Sequence, residues 1–446
     1  MHSKRRRSNV PVFGPVKGDN MRSKFSRIRG GSGAWLAASA AAAVLLAGCS
    51  STTAQSSNSS SVVASGEMIT ADSVDQTALA KTIRQALFAD VKVADLDPVM
   101  ADTMAVASVP LTTEQNALLA TCMSQASCDT GHGTLTIGIN ADAANNPWWN
   151  IRRAEATAQA IAYPQVKKII YTSSPSGDIA EVLANLGSLI AQKVDIIIDN
   201  PDFGTAILPV VQQAKDAGIV FITANAPLPP ETVGVTAVQI PFDLCEMGKT
   251  AAAQLNKTVG APSGYGLYTG IPGNAVAAAW HPCAQQAMDG LGWSKATEGF
   301  TQWTPQGSSQ AANALIASGQ QVGAILNDDY MDEFYKAYMT ANTAPPATFN
   351  DAPRFSSFQV DQDLKAANFT PNTLVANGHV WYGRPAVTAG VMIKSGMQVE
   401  PKIVPPVPVV RLDSITDLNV AGAPATSVIG SLLTVDQMTM ALSSGS

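Results

Sequence analysis

Between positions 75 and 127, apolar residues recur at helical spacing. Leu79, Ile83 and Leu87 make one such set, and Leu111, Leu118 and Leu119 a second. Thr112-Thr113-Glu114-Gln115 supplies the start of a helix. From Gly133 the pattern changes to short apolar runs alternating with longer amphipathic segments. TLTIGI (134–139), VKKIIY (166–171), VDIIID (194–199) and IVFITA (219–224) predict strands. NPWWNIRRAEATAQAIA (146–162), IAEVLANLGSLIAQK and AILPVVQQAKDA predict the helices between them, Pro147 near the first turn of its helix and Gly218 just past the end of another. The alternation then repeats. GYGLYTG (264–270), ATEGFTQW (296–303) and VGAILN (322–327) predict strands, and residues 251–259, 275–291, SSQAANALIASG and DEFYKAYMTA predict helices. Residues 353–360 and 374–382 are expected to be two further strands, and the Ser/Thr/Ala-rich tail from about Ala421 to be frayed. Strands separated by helices of this length call for parallel sheets covered on both faces, so the chain is α/β with two halves of similar size.

Composition alters this picture at the N-terminus. The protein has 446 residues, 46% hydrophobic and 14% charged, with a formal charge of −6. Nine of its 28 basic residues but one of its 34 acidic residues fall in the first 48 positions, which leaves 19 against 33 and a charge of −14 on the remainder. A body so acidic is repelled by phosphate backbones, so nucleic acid is not an expected partner. The basic head instead precedes an apolar segment, Ala34–Ala47, that is short for a membrane span and suits a secretory signal. Its exit, Leu46-Ala47-Gly48-Cys49, resembles the lipobox of bacterial lipoproteins. That resemblance implies cleavage after residue 48, lipidation of Cys49 and anchorage to the outer face of the cytoplasmic membrane. Residues 49–74, Ser-rich at first, would then be a flexible tether, and 75–132 a helical extension.

Four cysteines remain after Cys49, in a compartment that permits disulfides. They allow three pairings or free buried thiols; Cys122 with Cys128, leaving Cys245 with Cys283, is the pairing expected. His2, His132, His281 and His379 are scattered, and no metal or cofactor is expected. Nor is there a nucleophile-elbow motif or a triad order, so no enzymatic activity is expected.

In open parallel sheets, ligands bind beyond the carboxyl ends of the strands. Those ends carry Asn145, Asn146, Trp148 and Trp149; Asn200; Asn225; Gly270 to Asn274; Trp303; and Asn327-Asp328-Asp329. Trp280 and Trp381 lie near such ends too, in a chain with only 6% aromatic residues. Indole faces pack on the C–H face of a sugar ring, and carboxamides both donate to and accept from its hydroxyls.

IGINADAANNPWW, VDIIIDNPDFGTAILPVVQQAKDAGIVFIT and VGAILNDDYMDEFYKAY resemble the type I periplasmic binding protein family, in particular its ribose-binding group, over about residues 133–412. The resemblance implies two Rossmann-like lobes joined by hinge crossings: 133–243 with 384–408, and 244–383 with 409–420, followed by a tail at 421–446. It implies a monomeric, extracytoplasmic protein that closes on a sugar or polyol for an ABC permease; a sensor presenting its ligand to a receptor or kinase would share the fold. It places ligand contacts at Asn146, Trp148, Trp149, Asn200, Trp303, Asn327, Phe358 and Gln359, with a further contact within Tyr382–Arg384, taken as Arg384. Three positions depart from the group. Asn225-Ala226 replaces an Asp-Arg pair, Trp280 an Arg and Gln359 an Asp, so Asn225 and Trp280 are candidate contacts and the pocket is expected to be more apolar than a ribose site.

Overall fold

The computed structural model describes residues 68–144, 146–175 and 177–444. The leader, Cys49, most of the expected tether and Asn145 lie outside the described residues.

Two six-stranded sheets organise the chain. The first has the order β1-β3-β2-β4-β5-β6, with β1 at Ser127–Asp129, β2 at Leu135–Ala141, β3 at Val166–Ser173, β4 at Ile196–Asp199, β5 at Val220–Asn225 and β6 at Val238–Pro241. The second has the order β12-β11-β10-β9-β7-β8, with β7 at Gly264–Thr269, β8 at Ser294–Phe300, β9 at Ala324–Asp329, β10 at Ala347–Ala352, β11 at Thr373–Val375 and β12 at Val410–Arg411. All pairings are parallel except those of β1 with β3 and β12 with β11. Without those two edge strands, both sheets have the same doubly wound order. The order reverses between β2 and β4, and again between β7 and β9. There the loops leave in opposite directions and open a crevice at the carboxyl ends of the strands.

The helices are α1 (Gln76–Leu87), α2 (Pro98–Ser108), α3 (Thr113–Ser124), α4 (Pro147–Ala162), α5 (Ile179–Ala191), α6 (Leu208–Asp216), α7 (Leu244–Val259), α8 (Ala275–Gly290), α9 (Pro305–Ser318), α10 (Met331–Thr340), α11 (Ser356–Ala366), α12 (Gly383–Lys394) and α13 (Val435–Ser443). They cover both faces of each sheet. In β4, Ile196 and Ile198 pack in the core shared with α4 and α12, whereas Ile197 faces Val182 and Leu186 of α5 and Val211 of α6. Burial on both faces explains why this strand reads as an unbroken apolar run. The chain passes from the first sheet to the second between Pro241 and Leu244, returns between Val375 and Gly383, and crosses again between Lys394 and Val410.

Four expectations are corrected. Residues 353–360 are not a strand: β10 ends at Ala352, and Ser356 begins α11. The strand expected over 374–382 stops at Val375, and Trp381 and Tyr382 pack in the core instead. The tail is not frayed, because Val428, Ile429, Leu433 and Met438 are buried. Nor is the whole of 49–74 free, since the Ala71 amide donates to Asp102 at 2.9 Å.

The N-terminal extension and the tail both brace the hinge side of the described residues. From the extension, β1 joins the first sheet, and the Trp381 indole donates to Ala86 O of α1 at 3.0 Å. Arg84 of the same helix reaches Ser414 O (3.1 Å) and Asp417 (3.2 Å). From the tail, Ser427 O accepts from the Phe355 amide at 3.0 Å, beside the second sheet. A few residues later Ser431 Oγ and the Leu432 amide donate to Glu155 of α4, on the first. Disulfides join Cys122 to Cys128 and Cys245 to Cys283, the latter tying α7 to α8.

Candidate ligand-binding cleft

Asn146 caps α4 by accepting from the Trp148 amide at 2.9 Å, with Pro147 in the first turn. This cap fixes where the two following indoles point. Trp148 stacks on Tyr382 (centroids 5.6 Å apart), meets Trp149 edge-on (5.1 Å) and donates from Nε1 to Gly378 O at 2.7 Å. On the facing lobe, Gln302 and Trp303 both adopt positive φ (56° and 49°), which turns the Trp303 indole back over Gly270. The lobes touch directly at the rim. Asn146 Nδ2 donates to Trp303 O at 3.3 Å, and the Ala275 amide to Asp202 O at 3.1 Å.

Between them lies a cavity of about 510 Å³, counting the space at its mouth. The first lobe lines it with Asn146, Trp148, Trp149, Asn200, Asp202 and Asn225. The second contributes Val276, Trp303, Asp328, Asp329, Asp351 and Ala352, and the crossing after β11 contributes Gly378 and His379.

Its polar groups form two buried sets. Behind the first wall, Asn140 Nδ2 donates to Asp142 (2.9 Å) and Asp199 (2.8 Å), while Asn200 Nδ2 donates to Asp202 (2.8 Å). Burial raises the carboxyl pKa of Asp142, Asp199 and Asp202, and the neighbouring Asp199 charge raises Asp142 and Asp202 further. On the second wall, Arg354 grips both oxygens of Asp329 (3.1 and 2.6 Å). Burial pushes Asp328 up to about 7, with hydrogen bonds from Thr269 and Trp303 acting the other way. Asp351 is raised well above the ordinary carboxylate range by burial and then by Asp328 and Asp329. His379, stacked on Phe242 at 4.1 Å, is held neutral, its pKa lowered by burial to about 3.

Several buried acceptors in this cleft have no hydrogen-bond partner: Asn200 Oδ1, Asp202 Oδ2, Asn225 Oδ1, Asp328 Oδ1 and Asp351 Oδ1, the last lying 3.4 Å from His379 Nε2. Buried oxygens are seldom left so. Asn225 holds φ at 80°, a conformation that Asn tolerates better than most residues, so its amide is presented at the end of β5.

Of the eleven positions expected to touch ligand, the structure brings Asn146, Trp148, Trp149, Asn200, Asn225 and Trp303 around one cavity. Five lie elsewhere. Trp280 is fully buried against Phe349 (5.9 Å); one turn earlier in α8, Val276 is the residue at the cleft. The Asn327 carboxamide bonds its own strand end, donating to Asp329 O and accepting from the Asp328 amide. Phe358 packs in the core, and Gln359 is exposed on α11, where it donates to Asp363 at 2.8 Å. Arg384 pairs with Glu155 and donates to Gln159 (2.9 Å) between α12 and α4.

The pocket, expected to be more apolar than a ribose site, is also lined by the carboxyl groups of Asp202, Asp328, Asp329 and Asp351. Sequence reasoning missed Asp202, Asp351 and His379. Asp202, two residues past the Asn200 that was singled out, carried a usable signal. Asp351 did not, because the strand that presents it was misplaced.

Two like-ordered α/β lobes with a polar cleft at their strand ends define a type I solute-binding architecture. The periplasmic binding protein domain family matches residues 137–354, and this part of the chain belongs to it. That family consists of binding proteins rather than enzymes. No curated protein sequence matches the chain. Among solved structures, an ABC transporter solute-binding protein from Bacillus halodurans with bound myo-inositol is 16% identical, with a TM-score of 0.56, over 64% of this chain and 98% of its own. A Mycobacterium smegmatis protein in complex with β-D-fucofuranose is 17% identical (TM-score 0.55; 64% and 93%). An ABC transporter solute-binding protein of the same organism, with bound glycerol, is 18% identical (TM-score 0.57; 66% and 99%).

Proposed function

We propose that the protein captures a small sugar or polyol between its two lobes and delivers it to an ABC permease, held at the membrane by a lipid on Cys49. The observation that carries the reading is the set of orphaned acceptors, Asn200 Oδ1 and Asn225 Oδ1 on one lobe and Asp351 Oδ1 on the other, around a cavity walled by indoles. Hydroxyl hydrogens would satisfy them, and the indoles would cover the C–H face of the guest. A ligand contacting both walls favours the closed arrangement by its difference in affinity for the closed and open states. Structures of the same fold with bound myo-inositol, fucofuranose and glycerol support this ligand class. Among the described residues no helix is long and apolar enough to cross a membrane.

A thermal-shift screen of the mature chain against sugars and polyols tests the ligand class, since a ligand that binds only the folded state raises Tm. A concentration-dependent rise with one or more of them is expected; no rise with any neutral or amino-substituted member would refute the reading. Globomycin should leave an uncleaved precursor in cells, and normal processing would refute the anchor.

A further inference from the structure

At this cleft, three side-chain donors are already engaged, while several buried acceptors are left over. Asn200 Nδ2 is taken by Asp202, Asn146 Nδ2 by Trp303 O and Trp148 Nε1 by Gly378 O. The one arginine paired at the wall, Arg354, is committed to Asp329. Arg152 does not line the cavity; it lies behind it, 4.9 Å over the Tyr382 ring, donating to Asn140 O. Apart from the His379 ring nitrogen, the buried cleft atoms without a hydrogen-bond partner are oxygens, and three belong to carboxyl groups: Asp202 Oδ2, Asp328 Oδ1 and Asp351 Oδ1, the last 3.4 Å from Nε2 of the neutral His379. All three residues are at least 95% buried. A hydroxyl both donates and accepts, so a neutral sugar uses such a wall with half its capacity. An ammonium carries three donors and no acceptor, and supplies the countercharge that a buried carboxylate lacks. The indoles of Trp148 and Trp303 add faces that attract a cation.

We propose that the natural ligand carries a protonated amino group alongside its hydroxyls, as in an amino sugar or amino polyol, and that Asp202 and Asp351 receive it from opposite lobes. This rests on the cleft being a sugar or polyol site.

Calorimetric titration of the mature chain with D-galactosamine against D-galactose, and with D-glucosamine against D-glucose, tests it at pH 6.5. At least one amine should bind tenfold or more tightly than its neutral counterpart. Binding of the amine should also release protons, visible as a dependence of the heat on the ionisation enthalpy of the buffer. The groups that set this release are Asp142, Asp199, Arg152 and Tyr382 around Asp202, and Asp328, Asp329 and His379 around Asp351. Asp202→Asn or Asp351→Asn should shrink the ratio of amine to neutral-sugar affinity at least fivefold. Equal or tighter binding of the neutral sugars would overturn this inference and leave the proposed function standing. No binding by any sugar, polyol or amino derivative would overturn both.

Discussion

The Trp303 indole occupies the space that any side chain on Gly270 would need: a Cβ there would come within 2.0 Å of the ring. The strand end of β7 and the turn after β8 are thus built around each other, with the Gln302 amide donating to Gly270 O at 2.9 Å. Gly270→Ala is expected to push the indole out of the cleft. Ligand affinity should fall at least tenfold, with far-ultraviolet circular dichroism unchanged. Calorimetry on the variant checks it, and unaltered affinity would show that Trp303 does not form the wall.

Glu155 is a buried junction, accepting from Arg384 of α12 and from Ser431 and Leu432 of the tail. Glu155→Ala strands a buried guanidinium. Loss of one partner of such a pair costs about 3–5 kcal/mol. Chemical denaturation should show a loss of that order. Deleting residues 424–446 should destabilise the protein as well, because it uncovers the apolar residues beneath the tail.

Raised carboxyl pKa values make stability depend on pH in a definite direction. Asp328 titrates near 7 in the folded chain and near its ordinary 3.8 when unfolded, so between those values the folded state holds the proton. Folding is therefore progressively disfavoured by this group as pH rises from about 4 to 7. His281 and His379, lowered to about 4 and about 3 by burial, act in the opposite sense below about pH 6.5. Asp328→Asn isolates the first effect. Its Tm relative to the wild type should rise as pH goes from 4 to 7, and a constant difference across that range would contradict the assignment.

The Cys245–Cys283 bridge closes a separation of 38 residues, the Cys122–Cys128 bridge only 6. Bridges over longer loops remove more entropy from the unfolded chain. Replacing the pair Cys245 and Cys283 by alanine should cost about 3–4 kcal/mol, more than the same replacement at Cys122 and Cys128. Paired denaturation curves give the comparison.

The sheets were legible because their central strands are buried on both faces. Ile196-Ile197-Ile198 cannot be mistaken, and the helices between such strands carry their own caps, as at Asn146 and Pro147. The second wall of the cleft was less legible, for one physical reason. Strand β10, ATFNDA, carries the polar Asn350-Asp351 near its end, where Asp351 lines the cleft, so its apolar signal is weak. The following Phe355, Phe358 and Val360 drew the strand assignment onto what is the start of α11. Asp351 was lost with it, and Phe358 and Gln359 were given a place they do not hold. Trp280 shows a second limit: a tryptophan near a strand end can face either way, and one helical turn separates the cleft from the core. The tail misled by composition, since the apolar residues scattered through it, Val428, Ile429, Leu433 and Met438 among them, are the ones it buries.

A crystal structure of the mature chain with the sugar, polyol or amino derivative that raises its Tm most tests the central claim directly. The ligand should lie between the lobes, within hydrogen-bonding distance of Asn225 Oδ1 on one side and Asp351 Oδ1 on the other, with the Trp303 indole against it. A ligand found instead in the open pocket beside Pro282 and Glu298, with the interlobe cleft holding only water, would contradict it.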